Sequence, residues 1–303
     1  MERCSTRYEV RAIGRLADYP PRRGGDKLRL SNTLDVKEMT QAMANERSAS
    51  AADTATGAAT RTTGDARSST YVLVHGAWHG GWCWDAVAQI LRSHGHRVLT
   101  PTLSGLGEWA HLVSPEIDLQ VFIQDVVDVL EQHDLPDVIL VGHSFGGVTL
   151  VGAADRVPQR IRQLVFLDAV VLSAGETAFS RLAPEIVAAR RKLAMETSNG
   201  LTIPVPPASA FGVFETDQVA LLERHCRPHP LKTFDDPMVL MGPPGGALPK
   251  AYIQCVDPVY GPLQSSRDFV KSQKDWAWDE IATGHDAMIS APDALAEKLL
   301  AFA

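Results

Sequence analysis

The stretch DVILVGHSFGGVTL, residues 137–150, constrains the fold of this chain more than any other. Val138 to Val141 form an apolar run of strand length, and small and apolar residues resume at Gly146 in a helical setting. Between the two, Gly142-His143-Ser144-Phe145-Gly146 must reverse a buried strand directly into a helix. A Gly-x-Ser-x-Gly match arises by chance in about one chain in ten of this length, so the motif alone is modest evidence. Its position between strand and helix gives it weight, because a turn this sharp forces its central residue into strained backbone angles. Flanking glycines remove the side chains that would collide there. Ser144 is thereby lifted above the sheet, exposed for attack, whereas a serine merely capping a helix after a Gly-rich turn is the plainer alternative.

From Thr70 onward short apolar runs alternate with helical periodicity. TYVLVHG (70–76), HRVLT (96–100), DVILVG (137–142), RQLVFLDAV (162–170) and AYIQCV (251–256) read as buried strands, and the alternating WAWDEI (276–281) reads as a strand nearer the edge. Leu119, Phe122, Ile123, Val126, Val127 and Leu130 recur at helical spacing, so one face of that helix packs on the sheet. Strands separated by helices imply parallel crossovers and a doubly wound, mostly parallel α/β sheet. Residues 171–248 break this rhythm with two helical stretches and proline-rich loops, and no clear strand. That interval is too long for a plain connection and is expected to be an inserted helical cap. It would roof the carboxyl ends of the strands, where ligands bind in such sheets.

Residues 1–69 differ from the rest. Residues 46–70 are almost entirely Ala, Ser, Thr, Gly, Asp and Arg, which bury too little apolar surface to offset the entropy of ordering them, so a disordered extension is expected. A dispensable tail, or a true start at Met39 or Met43, is the reading, and the apolar core of a secretory signal is missing. The net charge of −7 argues against a nucleic-acid partner, and no apolar run reaches the length of a membrane span. A small molecule is the expected partner; oligomeric state is not legible. Cys4, Cys83, Cys226 and Cys255 are widely spaced, with no C-x-x-C pair, which points to a reducing, cytoplasmic setting.

A serine hydroxyl needs a positioned base. His285, in ATGHDAM after WAWDEI and before a final helix, combines a late position with a strand-loop-helix context. Charge developing on a substrate carbonyl needs N–H donors aimed at it. Phe145, directly after Ser144, and Ala77, in the loop HGAWHGGWCW after the first strand, are the expected backbone donors of this oxyanion hole. Gly76 lets the backbone approach a ligand, and Trp78 is expected to share the pocket, while Trp82 and Trp84 pack the sheet. His75 and His79 lack a third ligand nearby, so no metal is expected.

The stretches YVLVHGAWHGGWCW, TPTLSGLGE, VGHSFGG and TGHDAM resemble a bacterial esterase branch of the α/β-hydrolase superfamily, similar to the plant methylesterase and hydroxynitrile lyase family. The resemblance runs from about residue 70 to the end. It implies an α/β-hydrolase fold and cofactor-independent esterase chemistry, with Ser144 as nucleophile and His285 as base. Members of that family commonly carry the acid after the strand matched by AYIQCV, which nominates Asp257. Some α/β-hydrolases carry it at the end of the preceding strand, where Asp168 stands. Either carboxylate would serve if it reached the ring, and Asp168 is favoured.

The expected activity is therefore hydrolysis of a carboxylic ester with an apolar or aromatic body, with Phe179, Ile203, Phe211, Val213 and Phe214 of the cap as lining. Cyanohydrin cleavage is a second reading. The lyases of that family typically have a threonine and a lysine where this chain has Gly76 and Asp286, and both departures favour hydrolysis. A non-catalytic ligand-binding homologue is the third.

Overall fold

A computed structural model describes residues 68–303, so the extension expected over residues 1–69 lies, but for its last two positions, outside the described residues. Along the chain come β1 (Thr70–Val74), α1 (Asp85–Ser93), β2 (Arg97–Leu99), α2 (Leu119–Gln132), β3 (Val138–His143), α3 (Gly146–Arg156), β4 (Ile161–Leu167), α4 (Pro184–Ser198) and β5 (Thr202–Ile203). They are followed by α5 (Thr216–His225), β6 (His229–Pro230), α6 (Lys232–Asp235), β7 (Lys250–Cys255), α7 (Gln264–Ser272), β8 (Trp276–Ile281), α8 (Ala287–Ser290) and α9 (Pro292–Leu300).

Six strands form one parallel sheet in the order β2-β1-β3-β4-β7-β8. Alternate side chains of each strand point to opposite faces. Tyr71, Leu73, Ile139, Val141, Val165 and Leu167 pack with α1 and α9 on one side. Val72, Val74, Val138, Leu140, Leu164 and Phe166 pack with α2 and α3 on the other. Both faces are covered, which is why β3 is buried along its whole length while the edge strand β8 alternates. α2 begins where the Asp118 carboxylate accepts from the Val121 N–H at 3.0 Å, and it buries the six apolar residues that its spacing singles out. Among the described residues no helix is long and apolar enough to cross a membrane.

The register brings three strand ends level. Val74 lies opposite Gly142, and His143 opposite Leu167. The residues that follow β1, β3 and β4 therefore emerge side by side at the carboxyl edge of the sheet.

Three expectations need correction. β4 stops at Leu167 rather than running to residue 170, because Asp168 takes a left-handed φ of 37° that no strand sustains. β2 is only Arg97–Leu99. The interval between β4 and β7 contains a small antiparallel pair, Thr202 opposite Pro230 and Ile203 opposite His229, besides its helices. Strands of two residues are too short for a period of two to appear in sequence.

Candidate active site

The turn after β3 holds Ser144 at a φ of 52°, in the left-handed region that a β-carbon makes costly. Three backbone hydrogen bonds hold it there: the Ser144 N–H donates to the Leu167 carbonyl at 3.1 Å, and the Ser144 carbonyl accepts from Gly147 at 3.1 Å and Val170 at 2.9 Å. Gly146 is required because a β-carbon there would lie 2.8 Å from the carbonyl oxygens of both Val74 and His75. Gly76 stands behind the serine, not in the pocket wall: a β-carbon on it would meet the Ser144 β-carbon at 2.8 Å. The expectation for Gly76 thus changes from lining the pocket to making room for the turn.

His285 stands in the loop between β8 and α8. Its Nε2 lies 2.9 Å from Ser144 Oγ, and its Nδ1 lies 2.7 Å from Asp168 Oδ2. A carboxylate only accepts, so Nδ1 carries the proton and Nε2 faces the hydroxyl as an acceptor. Asp168 and His285 are both buried. Arg267 of α7, also buried, donates to the other carboxylate oxygen, Oδ1, at 3.1 Å and to the Tyr260 carbonyl at 2.8 Å. The Tyr260 ring stacks on the imidazole with centroids 4.0 Å apart. Asp257 lies elsewhere, in an exposed turn after β7 where its N–H donates to the Thr283 carbonyl, and it is not brought to the ring.

Ala77 and Phe145 both line a cavity with Ser144, and among the described residues neither backbone N–H has a protein acceptor. That cavity is narrow, with a volume of about 20 Å³. Trp78 forms part of its wall, and its indole N–H donates to the Ile203 carbonyl at 3.1 Å. The rest of the wall is mostly apolar, with Val170, Leu182, Phe234 and Leu263. It differs from expectation: Phe211, Val213 and Phe214 line a separate cleft that does not reach Ser144, Phe214 being exposed, and Phe179 and Ile203 are buried behind the wall. Phe211 packs instead against Trp78 and His79 of the loop after β1. Sequence reasoning missed Arg190 and Tyr260, the polar members of the wall, along with Arg267, because single polar residues on helices and loops carry no periodic signal.

A second buried group of charges lies behind the site. His79 Nδ1 is 2.8 Å from the Ala77 carbonyl, and its Nε2 is 3.0 Å from Asp286 Oδ2. Both partners are acceptors, so the ring donates from both nitrogens and is an imidazolium. Burial works against that charge, but the Asp286 carboxylate beside it holds the His79 pKa well above the ordinary value. Burial likewise pushes Asp286 up, yet His79 holds it below the usual carboxylate range. The ion pair joins the loop that carries Ala77 to the loop that carries His285. His143 is different: burial and the neighbouring His285 keep it neutral, with Nε2 3.0 Å from the His285 carbonyl. Donor atoms of His143, His285 and Asp286 lie within 4.8 Å of one another; both ring nitrogens of His285 are engaged within the protein, whereas His143 Nδ1 and Asp286 Oδ1 are buried without a hydrogen-bond partner among the described residues. His75 is no nearer to a ligand role. Its Nδ1–H donates to the Gly76 carbonyl and its Nε2 accepts from the Leu103 N–H, a neutral ring that burial lowers to a pKa of about 3.

Residues 71–298 match the model of the alpha/beta hydrolase family. The chain belongs to that family. This α/β-hydrolase is 38% identical over 239 residues, 76% of its own length and 98% of the relative's, to a carbendazim hydrolyzing esterase of a Nocardioides species. Its match to Methylesterase 9 of Arabidopsis thaliana is more local, 41% over 98 residues, 32% of this chain and 38% of that protein. Among solved structures it is similar to an extracellular alpha/beta-hydrolase from a Paenibacillus species. The TM-score is 0.67 and the identity 26%, with 77% of this chain and 98% of the other covered.

Proposed function

We propose that this α/β-hydrolase cleaves a carboxylic ester of a small substrate with a largely apolar or aromatic body, through an acyl-enzyme. His285 Nε2 takes the proton of Ser144, whose Oγ adds to the ester carbonyl. The oxyanion that forms accepts hydrogen bonds from the Ala77 and Phe145 N–H groups. His285 returns the proton to the departing alcohol, then takes one from a water that releases the acid and restores Ser144. Asp168 keeps the proton on Nδ1 and stabilises the imidazolium, while Arg267 holds the carboxylate in line. The observation that carries this reading is the chain of contacts from Ser144 Oγ through His285 to Asp168, at 2.9 and 2.7 Å, beside two amides without acceptors.

The esterase and methylesterase names of the relatives support the same reaction. Residues 171–248 act as the cap, since Ala178, Leu182, Arg190 and Phe234 share the cavity wall with Ser144. Cys83, Cys226 and Cys255 are buried free thiols, which supports a reducing, cytoplasmic setting. The cyanohydrin reading loses ground because Asp286 is buried against His79 and contributes nothing to the cavity wall.

The test is turnover of short aryl esters by the wild type and by Ser144→Ala. The variant is expected to lose at least about 10⁴-fold in kcat. A fluorophosphonate should label the wild type at Ser144, and undiminished turnover by the variant overturns the assignment.

A further inference from the structure

Arg190 is the one cationic side chain among the residues that line the cavity with Ser144. It projects from α4, its guanidinium carbon 5.2 Å from the Trp78 ring and 5.4 Å from the Phe234 ring. The neighbouring arginines of this region are neutralised: Arg191 pairs with Asp235, Arg181 with Glu176 and Arg267 with Asp168. Among the described residues no carboxylate lies within ion-pairing distance of Arg190. The Tyr260 phenol is its side-chain hydrogen-bond partner, and burial pushes that phenol above its ordinary pKa and so keeps it uncharged near neutrality.

A guanidinium does not shed its proton in a protein, so this charge stays in a mostly apolar wall without a counter-ion. The two aromatic faces offset part of the cost, as cation–π contacts do, and the Tyr260 phenol takes one in-plane donor, which leaves the rest of the fork without a protein acceptor among the described residues. A planar, forked donor set beside a nucleophile matches a carboxylate in charge and in geometry. Resting on the hydrolase reading above, we propose that the preferred substrates are esters bearing a free carboxylate, held by Arg190 while the ester carbonyl lies at Ser144. The apolar wall of Leu182, Leu263 and Phe234 would take the hydrocarbon between the two groups, so one molecule combines a greasy body with an acidic end.

The experiment compares matched ester pairs: phenyl butyrate against monophenyl glutarate, with the charge on the acyl side, and phenyl acetate against 4-acetoxybenzoate, with the charge on the alcohol side. Wild type, Arg190→Gln and Arg190→Lys are assayed for kcat/KM, with thermal unfolding and fluorophosphonate labelling of Ser144 on each. The wild type should prefer the charged member of at least one pair. Arg190→Gln should lower kcat/KM for that ester by about 10- to 100-fold more than for its neutral partner, and Arg190→Lys should recover part of the difference. Whichever pair responds identifies the side of the ester that lies under α4. Equal losses on charged and neutral esters, or a wild-type preference for the neutral member of both pairs, overturns the proposal, because Arg190 then acts only as a packing clamp on Trp78. Failure of the wild type both to turn over every ester and to label at Ser144 overturns the hydrolase reading and this proposal together.

Discussion

Asp168 Oδ2 lies 2.7 Å from His285 Nδ1, although 117 residues separate the two in sequence. The contact exists because β4 ends one residue before Asp168, whose left-handed backbone turns the carboxylate under the loop that follows β8. Asp257 leaves β7 into an exposed turn. Replacing Asp168 with Asn would leave the shape and remove the acceptor that sets the ring's tautomer. A loss of roughly 10³- to 10⁴-fold in kcat is expected for Asp168→Asn, against a change of less than about 2-fold for Asp257→Asn. Steady-state kinetics of both variants on one aryl ester decides it.

Arg267 is buried with Asp168, so removing its charge strands a carboxylate away from water. Arg267→Gln is expected to cost about 3–5 kcal/mol of stability, measurable by urea unfolding. It should also lower kcat more than it raises KM, since Asp168 would lose one of its two anchors. A variant with wild-type stability would show that the ion pair is replaceable by a neutral hydrogen bond.

The pair of His79 and Asp286 ties the loop of Ala77 to the loop of His285. His79 has its pKa raised on folding, so its share of stability is present below about 6.5 and is lost as pH rises through the elevated value. Asp286 has its pKa lowered, so its share is present above about 3.8 and is lost as pH falls. The junction is complete from about pH 3.8 to 6.5 and weakens on the alkaline side only once His79 deprotonates. Asp286→Asn should lower the melting temperature and reduce kcat, on neutral and charged esters alike. An Asp286→Asn melting temperature equal to that of the wild type inside that window would show that the pair contributes nothing net.

His75, His143 and His229 are buried and held neutral, burial being the largest cause in each. Their folded pKa values lie below the unfolded value of about 6.5, so the unfolded chain binds protons that the folded chain refuses. Stability is expected to fall as pH drops below that value, by roughly 1.4 kcal/mol per pH unit for His75 alone down to about 3. Chemical unfolding at pH 7, 6 and 5 measures the slope. A flat profile would mean that these rings protonate without leaving the core.

The sheet and its central turn are legible in sequence because they depend on local pattern: four apolar residues running into a glycine-flanked serine need no distant partner to be recognised. His285 is legible from its place between a strand and the last helix. The true end of β4 is not, since Ala169, Val170 and Val171 continue the apolar run after the backbone has already turned at Asp168. The wall of the cavity is the least legible part. Arg190 is one arginine of a helix with weak amphipathic pattern, and only the folded chain places it, half-buried, beside Trp78 and Phe234. The aromatic residues that hydropathy singles out between β4 and β7, Phe211 and Phe214 among them, are spent elsewhere.

Ser144 and Asp168 directly follow strands of one sheet and His285 stands in the loop after another, whereas Arg190 belongs to the excursion between β4 and β7. Reaction and selectivity are thus inherited from different pieces of the molecule. A lineage can trade one diet for another by rewriting the excursion, and the machinery that breaks the bond need not notice.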